Sequence, residues 1–205
     1  AAEAVRTVEI DSGHRGAIAF DGSAAPREVL VRHAGPLIVD GVMLAEDLDT
    51  TVHRDSRLWI RGGNGAGKTT LMSKMVDSWN LAEERLMHLP QDLDESESTR
   101  LLVGVLQLPA HTLGGVMQLY ARLGGEPASL MTSDRPSPGE IRKLLLASAL
   151  TRSVWCMMLD EPTNHLDVDT IEVLEDALTG FRGALVVITH DDRFGAAVTS
   201  EQVDL

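Results

Sequence analysis

The strongest chemical signal in the chain is one short stretch. Gly62-Gly63-Asn64-Gly65-Ala66-Gly67-Lys68-Thr69 fits the spacing G-x-x-x-x-G-K-[ST]. Glycines let a backbone curl until successive N–H groups point inward at phosphate oxygens. A helix starting at Lys68 adds the positive end of its dipole. Lys68 can then reach the β- and γ-phosphates of a nucleotide, and the Thr69 hydroxyl can bind Mg²⁺, with Thr70 next in line. The plain alternative is a glycine turn ahead of a helix. At average residue usage the pattern arises by accident in only about one percent of chains this long, so phosphate binding is the expectation.

Two further sites sit at the ends of apolar runs. Trp155–Leu159 ends in Asp160-Glu161, and Ala184–Ile188 ends in Thr189-His190. Such short runs read as strands buried on both faces of a parallel sheet. In open α/β sheets ligands bind at the carboxyl edge of the strands. The phosphate loop also follows an apolar stretch, Leu58–Ile60, so all three sites can share one rim although 92 residues separate Lys68 from Asp160. One carboxylate can hold Mg²⁺ and the next can polarise an attacking water. His190 can hydrogen-bond that water or the γ-phosphate. Taken alone, Asp-Glu-Pro is an ordinary turn and a strand-end histidine is usually structural; their company favours the chemical reading.

These residues need elements to hold them. Short apolar or alternating stretches at Val5–Ile10, Gly16–Phe20, Glu28–Arg32 and Arg57–Arg61 read as strands, with turns at Asp11–Gly13, Asp21-Gly22, Gly35-Pro36 and Asp40-Gly41. A helix is expected over Lys68–Asp77, a strand over Leu86–Leu89, helices over 97–123 and 139–151 with breaks at Pro109 and Gly124-Gly125, and a helix over Val168–Thr179. Strand–helix–strand order predicts an α/β fold with a mostly parallel core sheet.

Composition sets outer limits. The chain has 205 residues, 18 Lys+Arg against 31 Asp+Glu and a net charge of −13, which argues against direct DNA binding through phosphate contacts. A single cysteine, Cys156, excludes an internal disulfide and a cysteine-cluster zinc site, and fits a cytoplasmic setting. No apolar run approaches a membrane span. The first residues lack a signal-peptide pattern, and the missing initiator Met suggests a piece of a longer protein.

Together the motifs resemble the ATP-binding cassette (ABC) ATPases. Gly62–Thr69 looks like the Walker A loop and Asp160-Glu161 like Walker B with its catalytic glutamate. Gln91, in Leu89-Pro90-Gln91-Asp92, resembles the Q-loop glutamine. Ser137-Pro138-Gly139-Glu140 resembles a variant of the family signature Leu-Ser-Gly-Gly-Gln, and Asn164–Asp167 and His190 fall at the D-loop and H-loop. Leu159–Asp167 and Thr189–Phe194 are similar to strings of the ABC-F subfamily, as is Glu140 in place of the signature glutamine. Pro136 and Pro138 depart from the signature, and the Lys68-to-Gln91 interval is shorter than the family's.

The resemblance implies a P-loop NTPase of ABC type spanning 1–205, with a mainly β subdomain over 1–57 and a helical subdomain over about 92–150. It implies an Mg-dependent ATPase in which Glu161, His190 and Lys68 are catalytic and Thr69, Gln91 and Asp160 face the metal. Gly62, Asn64, Gly65, Ala66, Gly67 and Thr70 would cradle phosphate, and His33 would stack on adenine in place of the family's usual aromatic, Phe20 being the poorer candidate. Two cassettes pair head to tail in this family, so Ser137 and Gly139 would close over the nucleotide held by a partner, and Asp167 would lie at the seam and link the two sites. The partner would be a second cassette of the same full-length chain or a second copy. The ABC-F likeness implies the C-terminal half of a ribosome-associated translation or antibiotic-resistance factor, with ribosome contacts outside this chain. The alternatives are the ATPase subunit of a membrane transporter and an ATP-sensing scaffold with little hydrolysis.

Overall fold

The computed structural model describes residues 25–133, 136–150 and 153–205. The expected strands Val5–Ile10 and Gly16–Phe20 lie outside the described residues. A long antiparallel hairpin comes first, β1 (Val29–Val39) and β2 (Val42–His53), turning at Asp40-Gly41. β1 runs past the Gly35-Pro36 pair that reads as a turn in sequence. The register shifts between Gly35 and Leu37 instead, an irregularity that lets a proline sit within a strand.

β3 (Arg57–Arg61) enters the second sheet and leads through the glycine loop into α1 (Lys68–Asp77). A 3-10 turn at Glu83–Arg85 then passes directly into β4 (Leu86–Leu89). Four helices follow: α2 (Glu95–Leu106), α3 (Ala110–Arg122), α4 (Pro127–Thr132) and α5 (Pro138–Leu150). The chain returns through β5 (Cys156–Asp160), α6 (Val168–Gly180), β6 (Ala184–Ile188), α7 (Asp192–Val198) and β7 (Glu201–Asp204).

The second sheet has the order β4-β5-β6-β3-β7, and every neighbouring pair is parallel. Every residue of β5 and β6 is buried, which explains their unbroken apolar sequences. The strand period of two sorts these residues onto opposite faces. Leu58, Ile60, Cys156, Met158, Val186 and Ile188 pack with α1 through Leu71, Met72 and Met75, and with Leu37 and Val52 of the hairpin. Met87, Leu89, Met157, Leu159, Leu185 and Val187 face the other way, against helical residues that include Val116, Tyr120, Leu144 and Leu174. The architecture is that of an α/β P-loop NTPase: a parallel sheet, an antiparallel two-stranded sheet and helices. Among the described residues no helix is long and apolar enough to cross a membrane.

Candidate nucleotide site

Register alone brings the motifs together. Ile188, the last residue of β6, pairs with Ile60 of β3 on one side and with Asp160 of β5 on the other. The glycine loop after β3, the carboxylates ending β5 and His190 after β6 therefore leave the sheet at one carboxyl edge. A cavity of about 550 Å³ opens there, within the range of small-molecule sites. Asn64, Gly65, Ala66, Gly67, Lys68, Thr69 and Thr70 line it from the loop and the start of α1. Gln91, Asp160, Glu161 and His190 line it from the other strand ends.

The loop is held in shape from inside and from behind. The Lys68 ammonium, 9% exposed, donates to the carbonyls of Gly62 (2.9 Å) and Gly63 (3.0 Å), so Gly62 shapes the loop without lining the cavity. Gly67 caps α1 in a left-handed conformation at φ 95°. A Cβ there would come within 2.8 Å of Leu44 and 2.9 Å of Leu37, so the hairpin packs directly on the loop's glycine backbone. Only glycine meets both demands.

The acidic residues are buried, and their hydrogen bonds are specific. Asp160 is 1% exposed; its Oδ2 accepts from the Thr69 hydroxyl at 2.7 Å, while its buried Oδ1 has no hydrogen-bond partner. Burial raises the Asp160 carboxyl above its usual range, against the opposing pull of Thr69, Lys68 and Arg142. Glu161 is 7% exposed and adopts φ 48°, a conformation unusual for a non-glycine residue and found chiefly where the surroundings enforce it. Its N–H donates to the Ile188 carbonyl at 2.8 Å. Its Oε1 lies 3.6 Å from His190 Nε2, and its Oε2 accepts a long bond from the His190 N–H at 3.4 Å. Burial also raises the Glu161 carboxyl, offset in part by the His190 N–H and ring.

This donor set fits Mg²⁺. Asp160 with its orphaned buried oxygen, the Thr69 hydroxyl bound to it and Gln91 belong to residues that line one cavity. Among the described residues no group of three or more His, Cys, Asp or Glu could form a protein cage for a metal. Mg²⁺ characteristically takes one or two protein ligands and fills its octahedron with water and substrate phosphates.

Besides Gly62, four residues singled out in the sequence do not line this cavity. His33 sits within β1 opposite Thr50, and the hairpin residue that reaches the cavity is Val39, six positions later beside the turn. Ser137 is exposed, and its N–H and hydroxyl both donate to Glu140 Oε2 at 2.7 Å while its Oγ accepts from the Glu140 N–H at 3.3 Å, a capping box for α5. A Cβ on Gly139 would meet the His165 carbonyl at 2.7 Å, so that glycine permits a close backbone approach between α5 and the segment before α6. Asp167 caps α6, accepting from the Thr170 N–H and hydroxyl at 2.8 Å each, and pairs with Lys143 at 3.1 Å. Those hydrogen bonds pull its carboxyl down to about 2.

Three cavity residues escape sequence reasoning, Val39, Asn164 and Ile188, the last of which reads only as the end of a buried strand. Asn164 stood within the recognised D-loop string and was assigned no role; Val39 gave no signal, because its position depends on where the hairpin lands.

Comparison with known proteins agrees with this geometry. The family described as ABC transporter matches residues 45–164. The tylosin resistance ATP-binding protein TlrC of Streptomyces fradiae is 35% identical over 82% of this chain and 33% of its own length. The ATP-binding protein Uup of Escherichia coli is 30% identical over 76% of this chain and 27% of its own. ATP-binding cassette sub-family F member 3 of Mus musculus is 32% identical over 75% and 23%. The chain thus spans a third or less of these relatives. Among solved structures, an ATP-binding subunit of an ABC transporter superimposes with a TM-score of 0.63 at 18% identity, covering 86% of this chain and 85% of that one, a likeness of fold. With a phosphate loop, carboxylate pair and strand-end histidine on one rim, and a family match across more than half its residues, the chain belongs to the ABC transporter family as a single ATP-binding cassette with ABC-F relatives.

Proposed function

We propose that this cassette binds ATP with Mg²⁺ and hydrolyses it as one half of a head-to-tail pair. The observation that carries the reading is the 2.7 Å contact between Thr69 and Asp160, with Glu161 and His190 beside it in the same cavity. Loop N–H groups and Lys68 bind the triphosphate; Thr69, Asp160 and Gln91 would hold Mg²⁺, which when bound would supply charge neutralisation. Glu161 accepts the proton of the attacking water, and burial makes it a stronger base than an exposed glutamate. His190, mostly exposed, orients that water or the γ-phosphate.

Ser137 and Gly139 serve the opposite nucleotide. The start of α5 supports this, because Ser137 is exposed there and neither residue lines the chain's own cavity. The ABC-F relatives further support a role beside the ribosome, in translation or antibiotic resistance; the net charge of −13 weighs against ribosome contact through this chain itself, so such contacts would lie in other segments. Co-sedimentation of the full-length protein with ribosomes tests that part; co-purification with a membrane subunit instead would favour a transporter.

The catalytic reading is tested with two variants. Lys68→Ala should lose tight ATP binding, and unchanged affinity would count against the loop. Glu161→Gln should bind ATP, release no phosphate in steady state and accumulate as an ATP-held dimer. Turnover at the parent rate removes Glu161 from the mechanism.

A further inference from the structure

We propose that Arg142 is a positioning residue that locks the mouth of the nucleotide site to the helix bearing Ser137 and Gly139, so that the two respond to the γ-phosphate as one body. Arg142 lies on α5 and is 4% exposed. Its Nη1 donates to the Glu161 carbonyl at 2.9 Å and to the Asp160 carbonyl at 3.4 Å; its Nη2 donates to the Gln91 carbonyl at 2.6 Å. The three acceptors belong to cavity residues from two strand ends, β5 and β4. One rigid, planar fork thus spans both.

The placement has two consequences. Glu161 keeps its left-handed main chain only because its surroundings over-determine it. The Ile188 carbonyl fixes its N–H and Arg142 fixes its carbonyl, which together aim the carboxylate at His190. Gln91, a residue that lines the cavity, is meanwhile tied by its main chain to α5. Arg142 stands five residues, roughly 7.5 Å along the helix axis, from Ser137. A rigid helix over that distance carries a small shift of Gln91 or Glu161 to the exposed Ser137 at its start.

A guanidinium bound only to carbonyls is an expensive way to fill a core position. An apolar side chain of similar volume is often as stable as a buried charge, so packing alone does not explain it. Carboxylates of Asp92, Asp160 and Glu161 keep the group charged against its burial.

The inference rests on the proposed ATPase, and its test separates the two. Arg142→Ala and Arg142→Lys are compared with the parent for ADP affinity, ATP affinity and steady-state phosphate release, with and without millimolar guanidinium ion. Arg142→Ala should keep parent ADP affinity, since the phosphate loop is untouched, and lose turnover by about tenfold to a hundredfold, the scale of a small misplacement of reacting groups. Added guanidinium should restore part of that loss and do nothing for the parent. Arg142→Lys, a point charge that cannot span three carbonyls, should behave similarly without rescue, and it decides the matter if the alanine variant does not fold. Parent turnover in either variant, or equal losses of ADP and ATP affinity with no rescue, overturns the proposal. Should the parent bind ATP and release no phosphate, the ATPase reading fails; Arg142 is then judged by whether Arg142→Ala lowers the ratio of ATP to ADP affinity and guanidinium restores it.

Discussion

Glu161 combines a strained main chain, a buried carboxyl and an exposed histidine neighbour, and its ionisation controls what it can do. Burial lifts its proton affinity above that of an ordinary glutamate. A base must be ionised to accept a proton, so turnover should fall with falling pH along an acid limb placed higher than an exposed glutamate would give. The same shift carries a stability signature. Between the unfolded and the raised folded value, the native state holds a proton that the unfolded chain has released, so stability falls as pH rises through that window. Glu161→Gln removes this group from the balance. Its melting temperature should therefore fall less steeply than the parent's over the same pH series; matching slopes would sink the assignment. At this scale the sequence was most readable where chemistry depends on local spacing. Lys68, Thr69, Asp160, Glu161 and His190 reach the cavity because each lies in, or ends, a segment whose strand or helix character is plain. Val39 and Arg142 were not readable. One depends on the hairpin's landing point and the other on which face of α5 meets β5, and neither is encoded nearby in the chain.

Among the elements, α6 shows how one side chain can cap its own helix and tie it to another. Asp167 satisfies the Thr170 N–H at the start of the helix and pairs with Lys143 of α5, which also donates to the Gly124 carbonyl. Asp167→Ala should cost about 1 kcal/mol of stability for the lost cap, more if Lys143 finds no other partner, read as a lower denaturant midpoint with unchanged slope. The carboxyl's depressed proton affinity gives the sign of the acid response. Its contribution is complete above the ordinary aspartate range and is lost as pH falls toward about 2, so the difference between parent and variant should shrink on acidification. A constant gap would point to lost packing instead. The elements legible in sequence share strong periodicity: α1, β4 and β6 begin and end where the pattern places them. β2 and β7 were missed for physical reasons. β2 buries only Thr50 and Val52 and carries Glu46, Asp47 and Asp49, while β7 is a four-residue edge strand with no buried residue.

On the scale of the whole molecule, the proposed head-to-tail pair requires a second cassette to complete each nucleotide site. The nucleotide cavity lies at the carboxyl edge of the sheet, whereas Ser137 stands exposed at the start of α5 with its hydroxyl engaged only by Glu140. If each ATP is closed by the partner's Ser137, two defects in different molecules should complement. Lys68→Ala spoils the binding half-site and leaves Ser137 intact; Ser137→Arg spoils the closing half-site and leaves Lys68 intact. A head-to-tail pair of one with the other contains one sound composite site and one doubly damaged site. Each variant alone should release little phosphate, and the mixture should recover activity that rises with protein concentration, as does the parent's rate per molecule. Activity in Ser137→Arg alone, or a mixture no better than the sum of its parts at any concentration, would show that one chain closes its own nucleotide. The pairing would then have to be abandoned even with the phosphate loop and carboxylates in place.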